Sequence, residues 1–155
     1  MIKKLFMFVA IMLAFVMSAN AQSGSYTGTL HNIVMNGNPK GDQTMTFTYS
    51  NGYLKGTLPK IGSMPGTITI NMPVDVDANG NLTTTASQVG TLSVLSTPLY
   101  LDDDCDDNNG AFYGTLTKVN GTYVLDSTLN VVGSFLSIEV FPASVSFTST
   151  SFVAN

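Results

Sequence analysis

Apolar and polar residues alternate with period two along most of this chain. Thr44 to Tyr49 sets Met45, Phe47 and Tyr49 against three threonines. Thr67 to Met72 sets Ile68, Ile70 and Met72 against Thr67, Thr69 and Asn71. In the span 122–132, Tyr123, Leu125, Leu129 and Val131 share a face, opposite Thr122, Asp126, Thr128 and Asn130. Leu136, Ile138 and Val140 alternate with Ser137 and Glu139, and Val145 and Phe147 with Ser144, Ser146 and Thr148. A two-residue period in successive short runs predicts half-buried antiparallel strands. No stretch after the first 21 residues carries a helical apolar stripe.

The punctuation fits hairpins. Asn-Gly stands at 36–37, 51–52, 79–80, 109–110 and 120–121. Both central residues of a type I′ turn need positive φ, which Asn and Gly tolerate best. Tight turns join strands that are neighbours in sequence, so the pattern predicts an all-β, antiparallel, up-and-down meander. Eight or nine strands are expected, near 25–35, 43–50, 53–59, 66–72, 82–95, 111–118, 122–132, 134–141 and 143–152. A meander of that size must cover its edges. Closure into a barrel of about eight strands does so, and a two-layer β-sandwich is the alternative. Gly-Thr-Leu recurs at 28–30, 56–58, 90–92 and 114–116. Its irregular spacing excludes a solenoid period and predicts one small residue per hairpin where strands bend or approach closely.

The first 21 residues differ in kind. Lys3 and Lys4 precede thirteen apolar residues, Leu5 to Met17, and Ser18-Ala19-Asn20-Ala21 supplies small residues before Gln22. This is the layout of a secretory signal peptide. Thirteen helical residues span about 20 Å, too short for a ~30 Å bilayer core. No cysteine follows the cleavage point, which argues against a lipid anchor. Residues 22–155 are then expected to form a single secreted or periplasmic domain, with no membrane span after cleavage.

Charge and rare residues narrow the function. Two of six lysines leave with the signal and none of the ten acids does, so the net charge moves from −4 to −6. Arginine and tryptophan are absent, and His31 and Cys105 are the sole residues of their kinds. A nucleic-acid binder with a basic face is excluded, as are a disulfide scaffold and a Cys/His zinc site. Nucleophilic catalysis would require a serine and an acid gathered round His31, and no motif announces either. The chain therefore reads as non-enzymatic.

Two constellations stand out. Five aspartates crowd positions 102–107 around Cys105. Asp104, Asp106 and Asn108 offer alternating hard oxygens of the kind calcium takes. The glycine and the twelfth-position acid of an EF-hand are misplaced, so a solvated, self-repelling loop between strands is the other reading. Phe47, Tyr49, Tyr123, Phe135, Phe141 and Phe147 are strand aromatics that would line a pocket in a wide barrel or fill a narrow one.

The opening Ser25-Tyr26-Thr27-Gly28-Thr29-Leu30, the Asn-Gly hairpins and the closing Leu136-Ser137-Ile138-Glu139-Val140-Phe141 resemble the small secreted calycin-like (lipocalin-like) β-barrels of gut-type bacteria. The resemblance spans roughly 25–152. It implies an eight-stranded barrel and a small apolar or amphipathic ligand held at its mouth. The lipocalin Gly-x-Trp and the Arg-x-Tyr carboxylate clamp of fatty-acid-binding barrels have no counterpart in a chain without Trp or Arg. A protein- or glycan-interaction module with no small-molecule ligand is the alternative.

Overall fold

The computed structural model describes residues 23–64, 66–93, 97–100, 112–136 and 138–155. The architecture is all-β. Eight antiparallel staves form a closed ring, not evenly disposed round an axis. They are β1 (Gly24–Met35), β2 (Gln43–Ser50), β3 (Tyr53–Leu58), β4 (Ile68–Pro73 with Asp75–Val76), β5 (Asn81–Thr83 with Gln88–Leu92), β6 (Thr97–Tyr100 with Phe112–Val119), β7 (Thr122–Phe135) and β8 (Ile138–Ala154). Each stave pairs with the next in sequence, and β8 returns to β1 from Gly24↔Ala154 to Met35↔Ala143. A short bridge, Asn38–Pro39, folds back on the end of β1.

Three staves are interrupted. On β4 and β5, Ile70 faces Gly90 and Asp75 faces Thr83, so five steps on one strand answer seven on the other. The surplus makes a bulge near 84–87. On β6, Tyr100 faces Val132 and Phe112 faces Leu129, so twelve steps answer three on β7. Residues 101–111 are thus inserted into a single stave. The acidic segment itself, between the strand ending at Tyr100 and the one starting at Phe112, lies outside the described residues.

The expected turns form where they are described. Asn36-Gly37, Asn51-Gly52 and Asn120-Gly121 all have positive φ at both residues, from 50° to 85°. At 79–80 only Gly80 turns left-handed. There Asp77 does the work: its Oδ1 accepts the backbone N–H of Asn79 at 2.8 Å and of Asn81 at 2.9 Å. The strands expected at 122–132, 134–141 and 143–152 prove to be two long staves, with a turn at Leu136 and with Phe135 facing Ile138. Leu136 and Ile138 are exposed rather than half-buried.

The inward face is apolar and continuous. Leu30, Phe47, Leu54, Ile70, Leu82, Val89, Leu99, Leu125 and Phe147 all belong to the one core. The Gly-Thr-Leu echo gains a cause. All four leucines (30, 58, 92 and 116) are buried, and each glycine shares their inward face. A Cβ on Gly56 would sit 2.8 Å from the Phe47 ring, and one on Gly114 2.7 Å from the Asp126 carbonyl oxygen. Gly28 and Gly90 press equally close on the Thr148 and Thr69 carbonyls. These are close-approach glycines at which neighbouring staves can coil tightly. Among the described residues no helix is long and apolar enough to cross a membrane.

Candidate binding groove

The described members of the sequence-predicted aromatic set lie at separate places in the ring. Phe47 and Phe147 meet inside, ring centroids 5.0 Å apart at 88°. Tyr123 packs edge-on to Phe152 at 5.4 Å, and Phe152 lies 4.8 Å from Tyr26, which closes the end of the ring where β1 begins. Tyr49 packs half-buried against the same core. Burial raises the pKa of Tyr26, and the neighbouring Tyr123 and Tyr49 add to the shift. Phe141 lies at the opposite end, its ring over the space a Gly133 Cβ would take. Phe135 sits on β7, but its side chain falls outside the described residues, as do Asp104, Asp106 and Asn108 entirely.

The described residues enclose two small interior voids. They hold about 20 Å³ under Ile33, Leu58 and Val131, and about 10 Å³ beside Leu30, Phe47 and Phe112. A single water needs roughly 10–15 Å³ by that measure, so these are packing defects rather than ligand rooms.

A concavity of about 630 Å³ lies on the outer face. Sheet register builds it. One rung runs Thr83, Tyr113, Thr128, Ser146, His31 across β5, β6, β7, β8 and β1. Two residues along, a second runs Asn81, Thr115, Asp126, Thr148, Thr29. Every member faces away from the core, because each alternates with buried residues such as Leu82, Leu116, Leu125 and Phe147.

Local contacts fix the groove at both margins. At one, His31 Nε2 and Thr148 Oγ1 are 3.0 Å apart across β1 and β8. At the other, Asp77 Oδ2 accepts the Asn81 side-chain amide at 2.7 Å, and the Leu116 N–H donates to the Gly80 carbonyl at 2.7 Å. The turn before β5 is therefore tied onto β6. The Asn81 side-chain hydrogen bond, with the backbone bonds of the same turn, holds the Asp77 carboxyl below its ordinary pKa. Elsewhere on the outer face hydroxyls satisfy one another, Thr27 with Thr46 at 2.8 Å and Ser25 with Thr48 at 3.4 Å. In the groove the hydroxyls of Tyr113, Thr128 and Ser146 form no such side-chain pair among the described residues.

A second, smaller cleft of about 210 Å³ lies at the Phe141 end. Met35, Ile61, Met64 and Phe141 line it, with Lys40 and Ser63 beside them. The Lys40 side chain runs within 3.8 Å of where a Gly62 Cβ would stand.

Comparison with family models, curated proteins and solved structures finds no match to this chain in any of the three. Function must then be read from the groove's own chemistry.

Sequence reasoning followed the inward aromatics and passed over the outward rungs. One signal was within reach. The Asn120-Gly121 turn pairs Val119 with Thr122, which already places Thr115 opposite Asp126. The rest of the rung depends on bulges at 133/134 in β7 and between 27 and 28 in β1. No residue pattern announces those.

Proposed function

We propose that this chain is an exported, non-enzymatic recognition module that binds a polar partner along the outer groove of β5, β6, β7, β8 and β1. One observation carries this reading: the interior voids lined by described residues hold no more than about 20 Å³, while the outer face offers a concavity of about 630 Å³. Ligand sites usually measure about 300–1,000 Å³. The His31–Thr148 contact has the parts of a nucleophile and base but not their setting. Acyl transfer needs preorganised N–H donors for the oxyanion. Within a paired sheet the backbone amides serve the ladder, so this pair orients the face rather than attacking a substrate.

The test is native mass spectrometry on protein recovered from its own exporting host, for the parent and for Thr128→Trp. Trp at the centre of the rung fills the groove without touching the core. An adduct on the parent that Thr128→Trp lacks supports the groove. An adduct retained by Thr128→Trp overturns it.

A second reading keeps a small amphipathic ligand at the barrel mouth. The 210 Å³ cleft favours it, with an apolar floor of Met35, Ile61 and Met64 beneath the cationic Lys40. An adduct that survives Thr128→Trp but is lost in Lys40→Glu assigns the ligand to the mouth.

A further inference from the structure

We infer that the groove takes a neutral, polyhydroxylated glycan lying across the staves. The inference rests on the groove reading and names its ligand class. Hydrogen-bonding side chains line the groove, and its sole charged member is Asp126; no lysine takes part. Such a surface repels uronates, sulfates and phosphates. It suits a ligand made of hydroxyl groups, which both donate and accept. Asp126 accepts from hydroxyl donors with the added strength of a charged acceptor. Asn81, held in place by Asp77, presents an amide at the β5 margin.

The geometry adds a direction. Neighbouring strands lie about 4.8 Å apart, so five staves present a hydroxyl, amide or imidazole roughly every 4.8 Å over some 19 Å. A linear chain of sugar rings crossing the strands meets a fresh partner at each stave. Tyr113, half-buried on the central rung, adds an aromatic surface for the apolar face of a sugar ring. Threonine and serine rungs on a sheet are stiff at χ1 or short, so little rotamer freedom is lost on binding. On β1 and β2 Ser25 bonds Thr48 and Thr27 bonds Thr46, whereas Tyr113, Thr128 and Ser146 in the groove are not so paired among the described residues.

The experiment is an amide NMR titration of the full exported protein. Its probes are neutral hexasaccharides of glucose, mannose, xylose and N-acetylglucosamine, with oligogalacturonate as the anionic counterpart. The expected result is saturable shifts at Thr128, Ser146 and Tyr113 with at least one neutral probe and none with oligogalacturonate. Tyr113→Ala should then weaken binding about three- to tenfold. Thr115→Trp, at an exposed position of the other rung, should abolish it and serves if Tyr113→Ala misfolds. Absence of shifts with every neutral probe, or tighter binding of oligogalacturonate, overturns the inference. If that happens while Thr128→Trp still strips the native adduct, the groove reading stands and only the ligand class falls.

Discussion

Phe47 on β2 and Phe147 on β8 meet edge to face inside the ring, 5.0 Å between centroids, although β1 separates their strands. The contact ties together strands that share no hydrogen bonds. Both rings are almost wholly buried, at 3% and 2% exposure. Phe147→Ala should destabilise the protein by about 3–5 kcal/mol, because a cavity adds to the lost burial. Phe147→Leu should cost less than about 1.5 kcal/mol, since it keeps most of the volume. Denaturant unfolding of both variants measures this. Equal losses would mean that the edge-to-face contact, rather than the filled volume, carries the stability.

Tyr26 gives the protein an alkaline limit. Burial, with Tyr123 and Tyr49 adding to it, raises its pKa above the ordinary value near 10. The folded state therefore keeps the phenol proton when the unfolded chain has lost it. The sign follows from linkage: stability is level below about pH 10 and falls as pH rises toward the folded value. Tyr26→Phe should make that fall shallower. It should not abolish it, because Tyr49 is also raised, first by burial and then by Asp75. Melting temperatures from about pH 8 to pH 11 decide the matter.

Much of this architecture was legible in the residues. Met45 and Phe47 alternating with Thr44 and Thr46 fix which face of β2 is inward, and Asn51-Gly52 fixes the register of the next strand. Local rules suffice there because turn chemistry and burial agree. They fail where no Asn-Gly sets the register. The β7–β8 turn carries Leu136, so the run 134–141 reads as one strand when it is two legs of a hairpin. The β6 stave is broken by 101–111, and only long-range pairing reveals that Tyr100 and Phe112 belong together. The groove was the least legible part, since ordinary outward Ser and Thr become a site only through the registers of five staves.

Leu136 is held at a φ of 50°, the backbone that Asn36, Asn51 and Asn120 adopt at the other hairpins. A Cβ-bearing residue in that region costs about 1–2 kcal/mol, and asparagine tolerates it better than leucine. The side chain is 80% exposed, so little burial offsets the strain. Leu136→Asn should raise stability by about 0.5–1 kcal/mol. Chemical denaturation checks it. A loss of stability would show that the leucine contacts something that outweighs its backbone strain.

The insertion at 101–111 makes the sharpest test of the ring. On β7 only Asn130 and Val131 lie between the partners of Phe112 and Tyr100, so two residues suffice to join the halves of β6. Parity dictates which two. Val131 is buried and Asn130 only half-buried, so the residue after Tyr100 should be apolar and the next polar. Replacing 101–111 by Val-Thr should leave an intact eight-stave barrel with a continuous β6. It also removes five aspartates of like charge and shortens the chain that must close between the two halves. The shortened protein should unfold cooperatively and be more stable by about 1–2 kcal/mol. Circular dichroism melts and amide exchange at Leu99 and Phe112 read the outcome. If the shortened protein loses its β signal or its cooperativity, the two halves of β6 do not form a single stave.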